Sequence, residues 1–144
     1  MSQNFADLRT QIANKLSGVS GLHAVYPYEI GIPEDGKYPF ATVTPIGFDG
    51  EFGDTIRNIR TYTFAVRVYQ ERTVTGFGNV KAERVIAEIT DEVLTAFDAD
   101  TTLSGMVKMV RPLRGDLDYV DREMGDTRVA EFILDCVTVV PSTN

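Results

Sequence analysis

The run NVKAERVIAEITDEVLTAF, Asn79 to Phe97, admits only one regular structure. Ala82, Val85, Ile86, Ile89, Val93, Ala96 and Phe97 recur at three- and four-residue steps and fall on one side of an α-helix, while Lys81, Glu83, Arg84, Glu88, Asp91 and Glu92 fall on the other. In a globular chain such a helix draws most of its stability from packing that stripe against another surface. Asn79, just after Gly78, is the expected N-cap, and the helix is expected to stop near Asp98. Strand candidates flank it, Thr61 to Tyr69 before and Met106 to Leu113 after. If these two strands share a sheet, the helix covers one of its faces.

The rest of the chain supplies more of the same sheet and a second helix. Asn4 to Ser17 places Phe5, Leu8, Ile12 and Leu16 on one side, with Asp7, Arg9, Gln11 and Lys15 around the other. Gly18 is expected to close that helix with positive φ, and Lys15 suits the negative end of its dipole. Leu22 to Tyr28 reads as a short extended segment, and Pro27, which lacks an N–H, assigns it to an edge. Glu29 to Tyr38 carries the turn residues of an exposed connection, and Phe40 to Ile46 resumes as a strand ending near Pro45. DGEFGD, Asp49 to Asp54, reads as a turn-rich loop into the next strand, and Thr73 to Gly78 as a short connection. In that next strand Tyr62, Phe64, Val66 and Val68 alternate with Thr61, Thr63, Ala65 and Arg67, the pattern of a half-buried antiparallel strand. Arg128 to Val140 is the longest strand, with Ala130, Phe132, Leu134 and Cys136 inward and Glu131 and Asp135 outward. The predicted fold is α+β: one domain over residues 1–144, a single mostly antiparallel sheet packed against two helices at about 4–17 and 79–97.

At 144 residues a domain buries roughly 70% of the surface its unfolded chain exposes, so no staples are required. No apolar run approaches the roughly 18–20 residues that span a bilayer, residues 1–20 lack the pattern of a signal peptide, and Cys136 has no second cysteine to pair with. Folding in a reducing cytoplasm fits these features. A net charge of -7 and a pI near 4.6 argue against a protein that grips phosphate backbones, because that task needs clustered Lys and Arg. Acidic charge also keeps a protein soluble.

Residue types that carry catalysis are scarce. His23 is the single histidine, so any Ser-His-Asp or Cys-His device within one chain must use it, and no nucleophile motif lies near it. Cys136 belongs to a core-facing strand, where a thiol acts as a small apolar group. One His and one Cys make no zinc site without carboxylate help. Between Gly115 and Asp126, GDLDYVDREMGD, the acids Asp116, Asp118, Asp121, Glu123 and Asp126 could offer oxygen ligands, and Asp49, Glu51 and Asp54 add more. An EF-hand loop would need an acid or Asn where this chain has Val120, and Gly where it has Asp121. The segment therefore reads as a solvated acidic loop. GFGNV lacks the Lys and Ser or Thr of a phosphate cradle. No catalytic, cofactor or metal residue is assigned, and no enzymatic activity is expected.

Taken in order, the N-terminal helix Leu8 to Leu16, Val25-Tyr26, a Pro/Gly connection, Tyr38-Pro39-Phe40-Ala41-Thr42-Val43, Thr63 to Tyr69, the helix Ala82 to Phe97 and a last strand with Phe132 and Leu134 form a pattern. Over nearly the whole chain it resembles that of the tail terminator, or tail completion, proteins of long-tailed bacteriophages. The resemblance implies a virion structural protein, made in the host cytoplasm and residing in the virion tail. It implies a homo-oligomeric ring, six copies in the family's usual form, that caps the tail tube at the correct length and docks the neck of the filled head. The partners would be the tail-tube protein and a neck or connector protein, with DNA passing through the ring without specific binding and no contact with a membrane. Loops on a rigid scaffold are where binding surfaces usually sit, so Asp49, Glu51, Asp54, Asp116, Asp118, Asp121 and Glu123 are the interaction candidates. Other readings are a different neck or head-tail connector protein, a small ligand-binding α+β domain, and an enzyme whose site forms between subunits.

Overall fold

The computed structural model describes residues 4–28, 39–52, 57–71, 76–100, 102–103, 107, 109–122 and 125–141. Two helices lie against one five-stranded sheet, in the chain order α1 (Phe5–Leu16), β1 (Ala24–Tyr26), β2 (Phe40–Phe52), β3 (Arg57–Glu71), α2 (Gly76–Ala99), β4 (Met109–Arg122) and β5 (Gly125–Pro141). Across the sheet the strand order is β1-β2-β3-β5-β4, with β1 parallel to β2 and every other pair antiparallel. The expected α+β architecture is the observed one, and β1 takes the edge to which Pro27 assigned it.

Helix α1 starts where its side chains allow. Asn4 is extended (φ -128°, ψ 172°), and its Oδ1 accepts the Asp7 N–H at 2.8 Å, which satisfies one of the first-turn donors. Leu8, Ile12 and Leu16 are fully buried. The helix does not end on a left-handed Gly18: the Gly18 and Val19 N–H groups donate to the Lys15 and Leu16 carbonyls at 3.1 and 2.9 Å, a tightened last turn that needs no positive φ. Lys15, expected to serve the helix dipole, also reaches Asp100 at 3.0 Å and ties α1 to the end of α2.

Helix α2 buries Ile86, Ile89, Val93 and Phe97, with Val85, Leu94 and Ala96 partly buried beside them. Ala82, given to the same stripe, lies where no side chain is described. The helix begins at Gly76, so Asn79 is inside it rather than capping it. A glycine weakens a helix by about 1 kcal/mol without ending it, and the packed stripe that follows outweighs that cost. Fully burying each of these aliphatic or aromatic side chains contributes on the order of 1.5–3 kcal/mol.

The larger departure from expectation is in the strands. Asp49–Asp54 was expected to be a loop, yet β2 runs on to Phe52, with Asp49 opposite Thr61 and Phe52 opposite Asn58. The acidic stretch from Gly115 to Asp126 was expected to be a loop as well, but its described residues, 115–122 and 125–126, are strand: Asp116 faces Glu131, Asp121 faces Asp126 and Arg122 faces Gly125. The strand expected over Met106–Leu113 begins at Met109 and extends through that acidic run. Glycines and acids disfavour a strand locally, but a long partner satisfies the backbone N–H and C=O groups whatever the side chains.

Strands β2 and β4 each carry one bulge, and both bulges stand at one level. The register shifts between Pro45 and Gly47 in β2 and between Pro112 and Arg114 in β4, and the ladder runs Pro45, Phe64, Leu134, Pro112 from one side to the other. Strand β1 pairs with β2 only as far as Thr42, so Pro45 and Pro112 both lie on edge segments among the described residues. Edge segments and bulges are where a strand tolerates a residue without an N–H, and a bulge interrupts the regular edge that another strand could extend.

The helix-covered face of the sheet holds Tyr62, Phe64, Val66 and Val68 of β3 and Ala130, Phe132, Leu134 and Cys136 of β5, all buried as the alternation required. The other face is not simply wet. Phe40 stacks on Tyr69 at 5.0 Å and buries Val129 with it, while Arg67 pairs with Glu131 and Thr63 donates to Asp135, each at 2.7 Å. Ala65, between Thr44 and Ile133 in the ladder, is fully buried because its larger neighbours overtop it.

Candidate functional site

The chain's two classical nucleophile-chemistry residues are held apart. Cys136 is buried in the core, where burial first and the Asp135 carboxylate second push its thiol up to about 12. His23 is exposed at the entry to β1, its backbone N–H donating to the Pro39 carbonyl at 2.9 Å. A thiol that stays protonated in the core is neither nucleophile nor ligand. Among the described residues no three of His, Cys, Asp and Glu converge as metal ligands would, and no helix is long and apolar enough to cross a membrane.

The acidic interaction candidates fall on strands, in two separate places. Asp49 is exposed on β2, its Oδ1 accepting the Gly50 N–H at 2.9 Å, and Glu51 follows opposite Ile59. On β4, Asp116 is exposed opposite Glu131, Asp118 stands opposite Val129, and Asp121 opposite Asp126. Asp54 and Glu123 lie outside the described residues. Through the ladder Asp49 is level with Val137 and Asp116 with Glu131 of β5, so the two groups are separated by roughly 20 Å along the strands. They are also about 14 Å apart across three strand spacings. Among the described side chains, Asp49 and Asp116 do not meet in one pocket; they stand on β2 and β4, at different levels of the sheet.

Between and beside these acids are side chains that sequence reasoning did not single out. Phe48 is 76% exposed, Leu117 and Ile46 each 49% and Met109 38%, all on β2 or β4. Phe48 follows Pro45 and precedes Asp49-Gly50, and in the company of turn residues a single apolar side chain carries no strand signal of its own. The signal that would have found it is the period-two placing of Ile46 and Phe48 around Gly47, which is strand spacing. Each strand offers exposed apolar area with charges next to it, as an interface does.

No protein-family model matches the sequence, and neither does any protein of curated function. Among solved structures, the fold is similar to that of a chain in the virion of a native gene transfer agent particle, with a TM-score of 0.58 over 94% of this chain and 98% of that one, at 14% identity.

Proposed function

We propose that this protein is a structural component of a phage-like virion, and within it the tail terminator. The observation that carries the first statement is a shared fold that spans both chains almost end to end, the other chain belonging to a gene transfer agent virion. The second rests on the segment order and hydrophobic pattern set out above, which resemble those of tail terminators. In this reading six copies form a ring on the head-proximal end of the tail tube. The two acidic groups of the sequence, Asp49, Glu51 and Asp54 in one and Asp116, Asp118, Asp121 and Glu123 in the other, contact different neighbours, the tube and the neck. The work is done by shape and contact, without a catalytic step. Duplex DNA crossing the ring meets a chain with 21 acidic and 14 basic residues, which has little with which to hold phosphates by counterion release.

Deleting the gene and measuring tails by electron microscopy tests the proposal. The expected result is tails of irregular length, or tails that do not join heads. Uniform tails beside filled heads would instead indicate a neck or connector protein, and normal infectious particles would overturn the virion role altogether.

A further inference from the structure

Of the described aspartates, Asp49 alone is followed by a glycine. Both residues are exposed on β2, and the Gly50 N–H donates to Asp49 Oδ1 at 2.9 Å, so the amide nitrogen already lies beside the carboxyl of its neighbour. Gly50 has no Cβ to screen that nitrogen, and the space around it is open: a Cβ there would meet nothing closer than the Ile59 carbonyl oxygen at 3.9 Å. The backbone at this point is also weakly held. Strand β1 stops opposite Thr42, so beyond that residue β2 pairs with β3 alone among the described residues. Past Asp49 only the pairs Gly50 with Arg60, Glu51 with Ile59 and Phe52 with Asn58 remain, and the end of a ladder opens far more readily than a core. Strand β3 does not open with it, because β5 pairs with β3 as far as Arg57.

We propose that Asp49–Gly50 is a modification site, at which the chain converts itself from aspartate to isoaspartate. The Gly50 nitrogen bonds to Asp49 Cγ, and the amide proton leaves with the carboxyl OH as water, which closes a succinimide ring. Water then adds to one of the two ring carbonyls and breaks its bond to nitrogen. Opening at Cγ restores aspartate. Opening at the Asp49 main-chain carbonyl leaves the chain running through Cγ, with the former main-chain carbon as a free carboxylate. One water is lost and one regained, so the mass is unchanged and no further reactant is needed. Closure turns the nitrogen from the carboxyl oxygen toward the carbon behind it, a motion that a fraying strand end permits, and the two groups need no diffusion to meet. Asp91 and Asp98 lack both advantages, since α2 fixes their backbone and a residue with a side chain follows each. The product carries one additional main-chain carbon, about 1.5 Å of chain, so the residues after Asp49 lose their register with β3. In the virion reading above, on which this last consequence rests, no new copies replace old ones, and the change accumulates with particle age at one of the two acidic groups assigned to contacts.

The test is to hold the full chain at neutral pH and physiological temperature for weeks, digest it, and separate the peptides spanning Asp49 by chromatography with electron-transfer fragmentation, which distinguishes isoaspartyl from aspartyl forms of equal mass. Wild type is expected to accumulate isoaspartate at Asp49. Gly50→Ala, for which the fold has room, is expected to accumulate it several-fold more slowly, and Asp49→Glu, whose ring would need one more member, to lose it. Circular dichroism checks that both variants fold. Hydrogen exchange of the aged wild type is expected to quicken at residues 50–52 and to stay unchanged in β5. A native chain that remains aspartyl at Asp49 while the same chain converts in urea would overturn the proposal, and so would conversion of G50A at the wild-type rate. Isoaspartate at Asp35, which begins the other Asp-Gly pair of the sequence, with none at Asp49 would overturn it as well. Unchanged exchange at residues 50–52 in converted protein would overturn the loss of register. None of these measurements depends on the virion reading, which the tail-length experiment decides separately.

Discussion

Cys136 shows how one residue's setting makes a testable statement about the whole fold. Alternation along β5 already pointed it inward, and the structure encloses it completely. Burial and Asp135 raise the thiol from 9.0 to about 12, so the folded state holds this proton where the unfolded chain releases it. Stability is then unaffected below pH 9 and falls as pH rises from 9 toward 12, by roughly 1.4 kcal/mol per pH unit from this group. Urea denaturation at pH 8 and pH 10.5 is expected to show a larger alkaline loss for wild type than for Cys136→Ala. The variant starts about 1 kcal/mol less stable because of the small cavity it creates. Equal losses would mean that the thiol is not buried as described.

At the scale of elements, α2 seats Ile86, Ile89, Val93 and Phe97 in the core against the sheet. Ile89→Asp places an unpaired charge against the sheet, a cost of several kcal/mol and comparable to the stability of a domain, so this variant is expected not to fold. Glu88→Ala, on the exposed side, is expected to change stability by about 0.5 kcal/mol or less. Similar melting temperatures for the two would show that the helix face is wrongly assigned. Glu92 is a poorer control than its exposure suggests, because its Oε2 accepts the Gly21 N–H at 3.2 Å. Gly21 itself admits no side chain: a Cβ would lie 2.9 Å from Ile89 Cγ1. That close approach, between a turn after α1 and the middle of α2, joins residues far apart in sequence and has no local signature. The stripe of α2 was readable from spacing; the seat it occupies was not.

The whole molecule has one principal core, to which α1, α2 and β2 to β5 each contribute buried side chains and against which Val25 of β1 packs. Thermal unfolding is accordingly expected as a single transition whose calorimetric and van't Hoff enthalpies agree, and two resolved transitions would show that the long hairpins melt apart from the helical layer. Helix faces, the inward side of β3 and β5, the edge place of β1 and the α+β class were all determined by the sequence alone, because each follows from a period of 3.6 or 2 or from a single proline, and periodicity is local. How far the strands run was decided only by the tertiary structure. DGEF and GDLDYVDR have the composition of loops, and each becomes strand because a long neighbour, β3 or β5, satisfies its backbone hydrogen bonds residue by residue. The same long-range pairing set the two bulges level and left Phe48 and Leu117 exposed on β2 and β4. A side chain's exposure depends on what the rest of the chain places over it, and no property of Phe48 or Leu117 by itself carries that information.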